Sequence, residues 1–139
     1  DYLLLNTLRN ASLRGVDVKI ITPHIPDKKT VFLLTRSNYT ALIEAGVKIY
    51  EYTPGFIHSK VILSDDEVAI VGTINLDYRS LIHHFENGVW LYKTSSIKSI
   101  AFDLQNTLSV SKQISKKDAK QNFFVRIICS ILNLFSPLL

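Results

Sequence analysis

The chain has 139 residues, of which 47% are hydrophobic and 20% are charged, a composition typical of one globular α/β domain with a real core. Its net charge of +4 and pI of about 9.2 favour anionic partners such as phospholipid head groups or nucleic acid, and serve solubility equally well. A single cysteine, Cys129, excludes an internal disulfide, and its apolar neighbours favour a packed side chain over a reactive thiol. The absence of methionine and the start on Asp1 indicate a piece of a longer protein.

The first half of the sequence alternates helical and strand patterns. Glycines at positions 15 and 46 are typical helix stops, and the strand after the first of them turns fully apolar, as in a sheet covered on both faces. This order predicts parallel strands joined by crossover helices. The predicted elements are helix 2–14, strand 16–21, loop 22–27, helix 30–45 and strand 47–52.

The second half begins with a hairpin. Ser64 to Glu67 form a tight link between two alternating segments, which predicts antiparallel pairing. A later strand carries the only tryptophan, Trp90. The predicted elements are strands 57–63 and 68–71, a short helical or irregular stretch at 76–82, strand 87–92 and helix 97–108.

Residues 109–139 differ from the rest of the chain in composition. Residues 109–122 are polar and lysine-rich, and we expect a basic linker at 111–122, with a frayed helix end as the alternative. Residues 123–139 are strongly apolar, but Arg126 and Asn133 interrupt them, and they are marginal for a bilayer core of about 30 Å. They predict an amphipathic helix that lies in a membrane interface or docks on the domain itself.

His58 and Lys60 stand two residues apart in the first hairpin strand, and therefore project from one face. A histidine can serve as nucleophile or acid–base near neutral pH, and a lysine can hold a phosphate oxygen. The pair alone is weak evidence, because a His-x-Lys step arises often by chance. Asp65 has the opposite strand parity, and we expect it to secure the hairpin rather than touch substrate.

Further polar groups follow at fixed spacing. Gly72 permits close backbone approach, and the hydroxyl of Thr73 and the amide of Asn75 can donate to phosphate oxygens. Glu86 offers a carboxylate that can fix the tautomer and orientation of a histidine ring. Together these groups predict phosphoryl-transfer chemistry.

The pattern His58-x-Lys60-x4-Asp65-x6-Gly72-Thr73-x-Asn75 resembles the signature of the phospholipase D superfamily. The segments LIEAGVKIYEYTPGFIHSK and GTINLDYRSLIHHFENGVWLY, and nearly all of the chain with them, look like the carboxy-terminal half of bacterial cardiolipin synthases. The resemblance implies an α/β fold, an α-β-α sandwich with a mixed central sheet, as one half of a pseudo-two-fold pair. Residues 1–110 would form the catalytic half-domain.

The resemblance also implies a reaction that needs no metal or other cofactor. One histidine forms a phosphohistidine and a second, from a facing motif, handles the proton, so that one phosphatidylglycerol donates its phosphatidyl group to another and glycerol leaves. The catalytic set carried over is His58, Lys60, Asp65 and Glu86, with Glu86 orienting His58, and the phosphate-binding set is Lys60, Gly72, Thr73 and Asn75.

This chain holds one copy of the motif, so the resemblance implies half of an active site. The implied partners are phosphatidylglycerol and other anionic phospholipid, the membrane surface, and a missing amino-terminal half or a second copy of the chain, at the cytoplasmic face of the cell membrane. No nucleic acid is expected. The alternatives are a homodimeric phosphodiesterase that cleaves nucleic acid and an inactive membrane-associated fragment.

Four further side chains carry weaker expectations. Arg79 can contact a phosphate or form an internal salt bridge with Asp77 or Glu86. His83 and His84 have no partners at metal-ligand spacing, so His84 is expected at the surface or at the edge of the site. His24 lies in a proline loop that can border the cleft.

Overall fold

A computed structural model describes residues 2–134, and the statements below concern those residues. They fold into alternating helices and strands, with one π-helical turn at Arg79–His83 in the stretch predicted to be short or irregular. The helices are α1 (Tyr2–Leu13), α2 (Lys29–Ser37), α3 (Tyr39–Glu44), α4 (Ser96–Ser109), α5 (Lys116–Ala119) and α6 (Phe123–Leu134). The strands are β1 (Lys19–Pro23), β2 (Lys48–Tyr52), β3 (Lys60–Ser64), β4 (Val68–Gly72), β5 (Gly88–Tyr92) and β6 (Ser111–Gln113).

The described strands form two three-stranded sheets. In the first, β1 pairs parallel with β2, as the crossover order predicts, and β6 adds antiparallel on the other side of β2. In the second, β3, β4 and β5 form an antiparallel meander that begins with the predicted hairpin. Helix α4 contacts β2, β4 and β6, so it connects the two sheets. The α/β class is confirmed, with the central sheet divided into a mixed part and an antiparallel part.

The core lies on the first sheet. Alternation along β2 buries Ile49 completely and leaves Lys48 exposed, as expected for a strand with one face against helices. A buried isoleucine of this kind contributes about 1.5–3 kcal/mol to stability. The buried residues that cluster here come from α3, β2 and the segment after β6, and they are Tyr39, Leu42, Val47, Ile49, Ile114 and Ala119.

The single helix predicted over 30–45 is two helices, α2 and α3, which meet at Asn38. Two side chains compete there for one backbone carbonyl: the Ser37 hydroxyl and the Asn38 amide both donate to the Leu34 oxygen, at 2.7 and 3.0 Å. Serine and asparagine offer the backbone such alternatives to the regular helical ladder. The break directs Tyr39 and Leu42 into the core.

The linker prediction for 111–122 does not hold for the structure. Ser111–Gln113 form β6, and Ile114 and Ala119 are buried in the core. Ser115 and Asp118 then form a reciprocal capping box that begins α5. The lysines that suggested a linker point to solvent while the few apolar residues between them pack inward, so composition misrepresented the segment.

The second sheet is an excursion of the chain from the first. The chain leaves β2 at Tyr52 and returns at Ser111, and the two ends of the excursion are joined by a hydrogen bond from the Thr53 hydroxyl to the Val110 carbonyl at 3.3 Å. The ends of residues 53–110 therefore lie side by side.

Helix α6 covers the first part of the predicted helix 123–139, and residues 135–139 lie outside the described residues. It packs on α2, where Cys129 is buried as predicted, with its thiol 3.6 Å from the Leu33 carbonyl oxygen. Within residues 2–134, none of the helices has both the length and the apolar character needed to cross a bilayer.

Candidate active site

The register of the second sheet gathers the motif residues other than Asp65 at one end. Lys60 lies opposite Gly72 across β3 and β4, and Gly72 lies opposite Gly88 across β4 and β5. His58 precedes Lys60 by two residues, and Glu86 precedes Gly88 by two, so both lie at this same end. Residues that are up to 28 positions apart in the sequence are thereby neighbours.

His58 lies just outside the strand that was predicted to contain it, because β3 begins at Lys60. Its ring is exposed and stacks on Phe56, with ring centroids 5.8 Å apart and 17° between the planes. Among residues 2–134 the ring has no hydrogen-bond partner, which leaves both ring nitrogens open to a ligand. Phe56 was missed by sequence reasoning, although it stands two residues before His58, on the same parity.

Lys60 folds back toward the histidine. Its ammonium donates to the His58 carbonyl oxygen at 2.8 Å. An ammonium carries three donors, so two remain for a phosphate oxygen. The contact holds the charge beside the histidine backbone rather than in open solvent.

Gly72 is required by the sheet itself. A Cβ at this position would meet the Asn87 carbonyl oxygen at 2.1 Å and the Gly88 Cα at 2.7 Å. Any larger residue would force β4 and β5 apart at the end that carries the motif. The glycine is therefore needed because the backbone of β4 lies close to the backbone at the start of β5. The sequence had suggested a different reason, close contact with a ligand.

Thr73 fastens Glu86 to this end of the sheet. Its hydroxyl donates to the Glu86 carboxylate at 2.5 Å, and the Asn87 amide donates to the same hydroxyl at 3.1 Å. The Thr73 amide donates to the Asn87 carbonyl at 2.9 Å. Because the one hydroxyl proton is committed to Glu86, donation from Thr73 to a phosphate requires that contact to break.

The carboxylate of Glu86 has further partners in the turn before it. Its Oε1 atom lies 3.5 Å from Nδ1 of His84. Hydrogen bonds from Thr73 and Ser80, together with His84, hold the pKa of the Glu86 carboxyl below its ordinary value. Within the described residues, the observed ring partner of Glu86 is thus His84, and the orientation of His58 by Glu86 stays a prediction.

His84 has a defined place rather than a free surface position. The Arg79 guanidinium lies 3.3 Å from His84 Nε2, and since arginine can only donate, Nε2 accepts and Nδ1 carries the proton directed at Glu86. The contact between His84 Nδ1 and the Glu86 carboxylate places the two side chains together, although Phe85 separates them in the sequence. The two-residue spacing was the signal that sequence reasoning left unused.

Asp65 lies at the opposite end of the hairpin. It and Asp66 both have positive φ, 52° and 53°, as the two central residues of the turn between β3 and β4. Four strand steps, about 13 Å, separate this turn from Lys60. The structure places Asp65 away from the other motif residues, in the tight link that the sequence predicts between the two hairpin strands.

Asn75 and Asp77 follow the gathered end of β4. The Asn75 side chain is exposed and, among residues 2–134, makes no hydrogen bond, so its amide is available to a ligand. Asp77 accepts from the Ser80 amide at 2.8 Å and so caps the π-helical turn.

His24 borders the end of the first sheet. Its Nδ1 lies 2.8 Å from Glu51, which is 1% exposed and is also ion-paired with Arg36 at 3.4 Å. These contacts fasten the loop after β1 to β2. Burial raises the pKa of the neighbouring Tyr39 to about 12, with the Glu51 charge adding to the shift.

The described residues contain no group of three or more histidine, cysteine or carboxylate side chains arranged to hold a metal ion.

Comparison with known proteins shows which family the chain belongs to. Residues 1–108 match the model of the phospholipase D-like domain of cardiolipin synthase. A cardiolipin synthase of Alkalihalophilus pseudofirmus is 46% identical over the whole chain, which covers 28% of that protein. The chain spans less than a third of the cardiolipin synthases it matches.

Two solved structures share the fold. The phospholipase D family member Nuc from Salmonella typhimurium superimposes with a TM-score of 0.68 at 20% identity, covering 80% of this chain and 72% of that one. A phosphatidylserine synthase from Haemophilus influenzae gives a TM-score of 0.68 at 19% identity, covering 99% and 37%. The chain belongs to the cardiolipin synthase family of phospholipase D-like domains.

Proposed function

We propose that this chain is a catalytic half-domain of a phosphatidyltransferase that makes cardiolipin from phosphatidylglycerol. The observation that carries the proposal is the convergence of His58, Lys60 and Glu86 at one end of the β3–β4–β5 sheet, with Asn75 exposed beside them. The family match and the cardiolipin synthase relatives support the substrate class.

The proposed reaction has two steps. A histidine ring nitrogen attacks the phosphorus of one phosphatidylglycerol, the bond from phosphorus to the glycerol oxygen breaks, and glycerol leaves with a proton from a second histidine. The second histidine then takes the proton of a hydroxyl on another phosphatidylglycerol. That oxygen attacks the phosphohistidine and releases the first ring. His58 supplies one of the two histidines, and its exposed ring with two open nitrogens suits either role.

The remaining residues act on charge and position. Lys60 carries two free ammonium donors for the non-bridging phosphate oxygens, and Asn75 adds an amide donor. Thr73 and Glu86 are positioning residues in this proposal, because their contacts with one another fix the end of β5 against β4. The second histidine comes from the rest of a longer protein or from another copy of this chain, acting on lipid at the cytoplasmic face of the cell membrane.

The test is the complete protein that contains this chain, assayed for cardiolipin and glycerol from phosphatidylglycerol. His58→Ala is expected to lower the rate by about 10²-fold or more, because a positioned nucleophile or acid–base group is lost. His83→Ala, a matched exposed histidine that contacts Tyr78, is expected to leave the rate unchanged. Undiminished synthesis in His58→Ala contradicts the assignment, and cleavage of single-stranded DNA by the isolated chain supports the nuclease alternative instead.

A further inference from the structure

The carboxy-terminal helix α6 presents three distinct faces. One face packs on α2 through Val125, Cys129 and Leu132, which are buried or half-buried. Arg126 and Ser130 form a polar edge. The third face is apolar and exposed to solvent, and its members are Phe123, Phe124, Ile127, Ile128 and Ile131. Since the first face is docked, the orientation of the exposed apolar face is fixed relative to the domain.

A cationic groove adjoins this apolar face. A cavity of about 590 Å³ lies between α3, α5 and α6, and Thr40, Lys120 and Arg126 are among the residues that line it. A second cavity of about 410 Å³ is lined by Arg126 together with the apolar side chains Phe123, Ile127 and Ile131. Arg126 therefore stands at the junction of a polar cavity and an apolar one.

The charges in the groove are not balanced by the protein. Lys116 is neutralised by Glu44 at 2.8 Å. Among residues 2–134, neither the Lys120 ammonium nor the Arg126 guanidinium forms an ion pair, so two positive charges remain without a counter-ion. A phosphate that bears a negative charge fits this groove electrostatically.

We propose that α5 and α6 form a docking site for anionic phospholipid in a bilayer, separate from the motif end of the β3–β4–β5 sheet. The lipid phosphate binds at Lys120 and Arg126, and the apolar face of α6 enters the interface between head groups and acyl chains. The occupant is a lipid in a membrane rather than a soluble phosphate, because the cationic and the apolar cavities meet at one side chain. The site requires no chemistry at His58, so it stands independently of the proposed function.

The experiment measures sedimentation of the isolated 139-residue chain with phosphatidylcholine vesicles that contain or lack phosphatidylglycerol. Strong binding is expected only to the vesicles with phosphatidylglycerol. The double variant Lys120→Ser, Arg126→Ser is expected to weaken the partition coefficient about 30-fold, since each basic side chain near an anionic surface contributes about fivefold. Ile127→Ser with Ile131→Ser is expected to weaken binding to the same vesicles by removing the apolar contact.

Matched controls distinguish binding by this surface from non-specific electrostatic or hydrophobic binding to vesicles. Arg14→Ser with Lys98→Ser removes the same two residue types at exposed positions, one in the turn after α1 and one in α4, and Phe102→Ser removes an exposed aromatic side chain of α4. Both controls are expected to bind as the unaltered chain does, and circular dichroism checks the fold of every variant. Equal binding by the Lys120, Arg126 variant, equal losses in the controls, or failure of the unaltered chain to bind phosphatidylglycerol vesicles each overturns the proposal.

Discussion

The two sheets of this domain differ in role: the buried core packs on the first, and the candidate catalytic residues lie at the second. The main cluster of buried residues packs around the first sheet, which itself contributes Ile49 at 0% exposure and the charged Glu51. The second sheet carries His58, Lys60 and Glu86, yet four of the five residues of its strand β5 are exposed, and Ala69 is its fully buried residue among those described. The part of the molecule that gathers the reactive groups therefore depends on the other part for most of its anchorage.

The two sheets are also held in place by different interactions, which explains how the motif end keeps a defined geometry with little burial. In the first sheet, apolar packing decides the structure. In the second, backbone proximity at Gly72 and a short chain of hydrogen bonds through Thr73 and Glu86 decide it. Substitutions in the first sheet should thus act on the stability of the whole domain, and substitutions in the second should act on local geometry.

The largest expected effect on stability is in the core of the first sheet. Ile49→Ala is expected to lower the free energy of unfolding by about 2–5 kcal/mol, because it leaves a cavity in a fully buried site. Ile62→Ala, the same change at a half-exposed position of β3, is expected to cost about 1 kcal/mol or less. Urea denaturation followed by circular dichroism measures both. Equal losses of unfolding free energy in the two variants would contradict the claim that the first sheet carries more of the stability than the second.

The next largest effect on stability is expected where Gly72 of β4 pairs with β5. Gly72→Ala is expected to cost about 1–3 kcal/mol, because the added methyl group meets backbone atoms that cannot move aside independently. Gly55→Ala is the matched control: no atom lies within 4 Å of its added Cβ. Urea midpoints give the difference, and the chemical shifts of Asn87 and Gly88 report whether the strands separate. An unchanged urea midpoint for Gly72→Ala would show that the close contact between β4 and β5 does not restrict residue 72.

A smaller effect is expected from Glu86, and it depends on pH. Since its pKa lies below the ordinary value of 4.5 in the folded state, its contribution to stability is present above that pH and is lost as the pH falls through the folded pKa. The stability difference between the protein and Glu86→Gln should therefore shrink on acidification below about pH 4.5. Urea midpoints across this range measure it.

Glu67→Gln is the control for that titration. Glu67 pairs with Lys93 at an exposed site, where ion pairs contribute little. A difference for Glu86→Gln that persists unchanged at low pH would exclude the hydrogen bonds to its carboxylate as the cause.

The smallest effect is expected at the hairpin turn. Asp65→Asn is expected to change stability by no more than about 0.5 kcal/mol, because asparagine also tolerates positive φ. If the turn position alone matters, cardiolipin synthesis by the complete protein should stay within a few-fold of normal. A loss comparable to that of His58→Ala would give Asp65 a catalytic role in spite of its place at the far end of the hairpin.

Sequence reasoning predicted the order of elements, the parallel pair and the hairpin, because periodicity and turn residues are local signals. It expected His58 and Lys60 on one face of a strand, but β3 begins at Lys60, and the contact between them runs from the Lys60 ammonium to the His58 carbonyl oxygen. It did not predict that Gly72 faces Gly88, because the register of β5 depends on the π-helical turn and the Thr73 contacts rather than on a short loop. The three-residue strand β6 was missed because its own residues, Ser111 to Gln113, are all polar and lie in a lysine-rich segment.

The pairing of β2 with the distant strand β6 affects how the domain folds during synthesis. Glu51 of β2 pairs with Lys112 of β6, 61 positions later, so at typical ribosomal rates β2 waits on the order of several seconds for its second neighbour. The β3–β4–β5 meander needs only sequence-local pairing, and we expect it to form within that interval. The β3–β4–β5 sheet would then exist before β6 completes the first sheet, so the motif is assembled on a scaffold that is still unfinished.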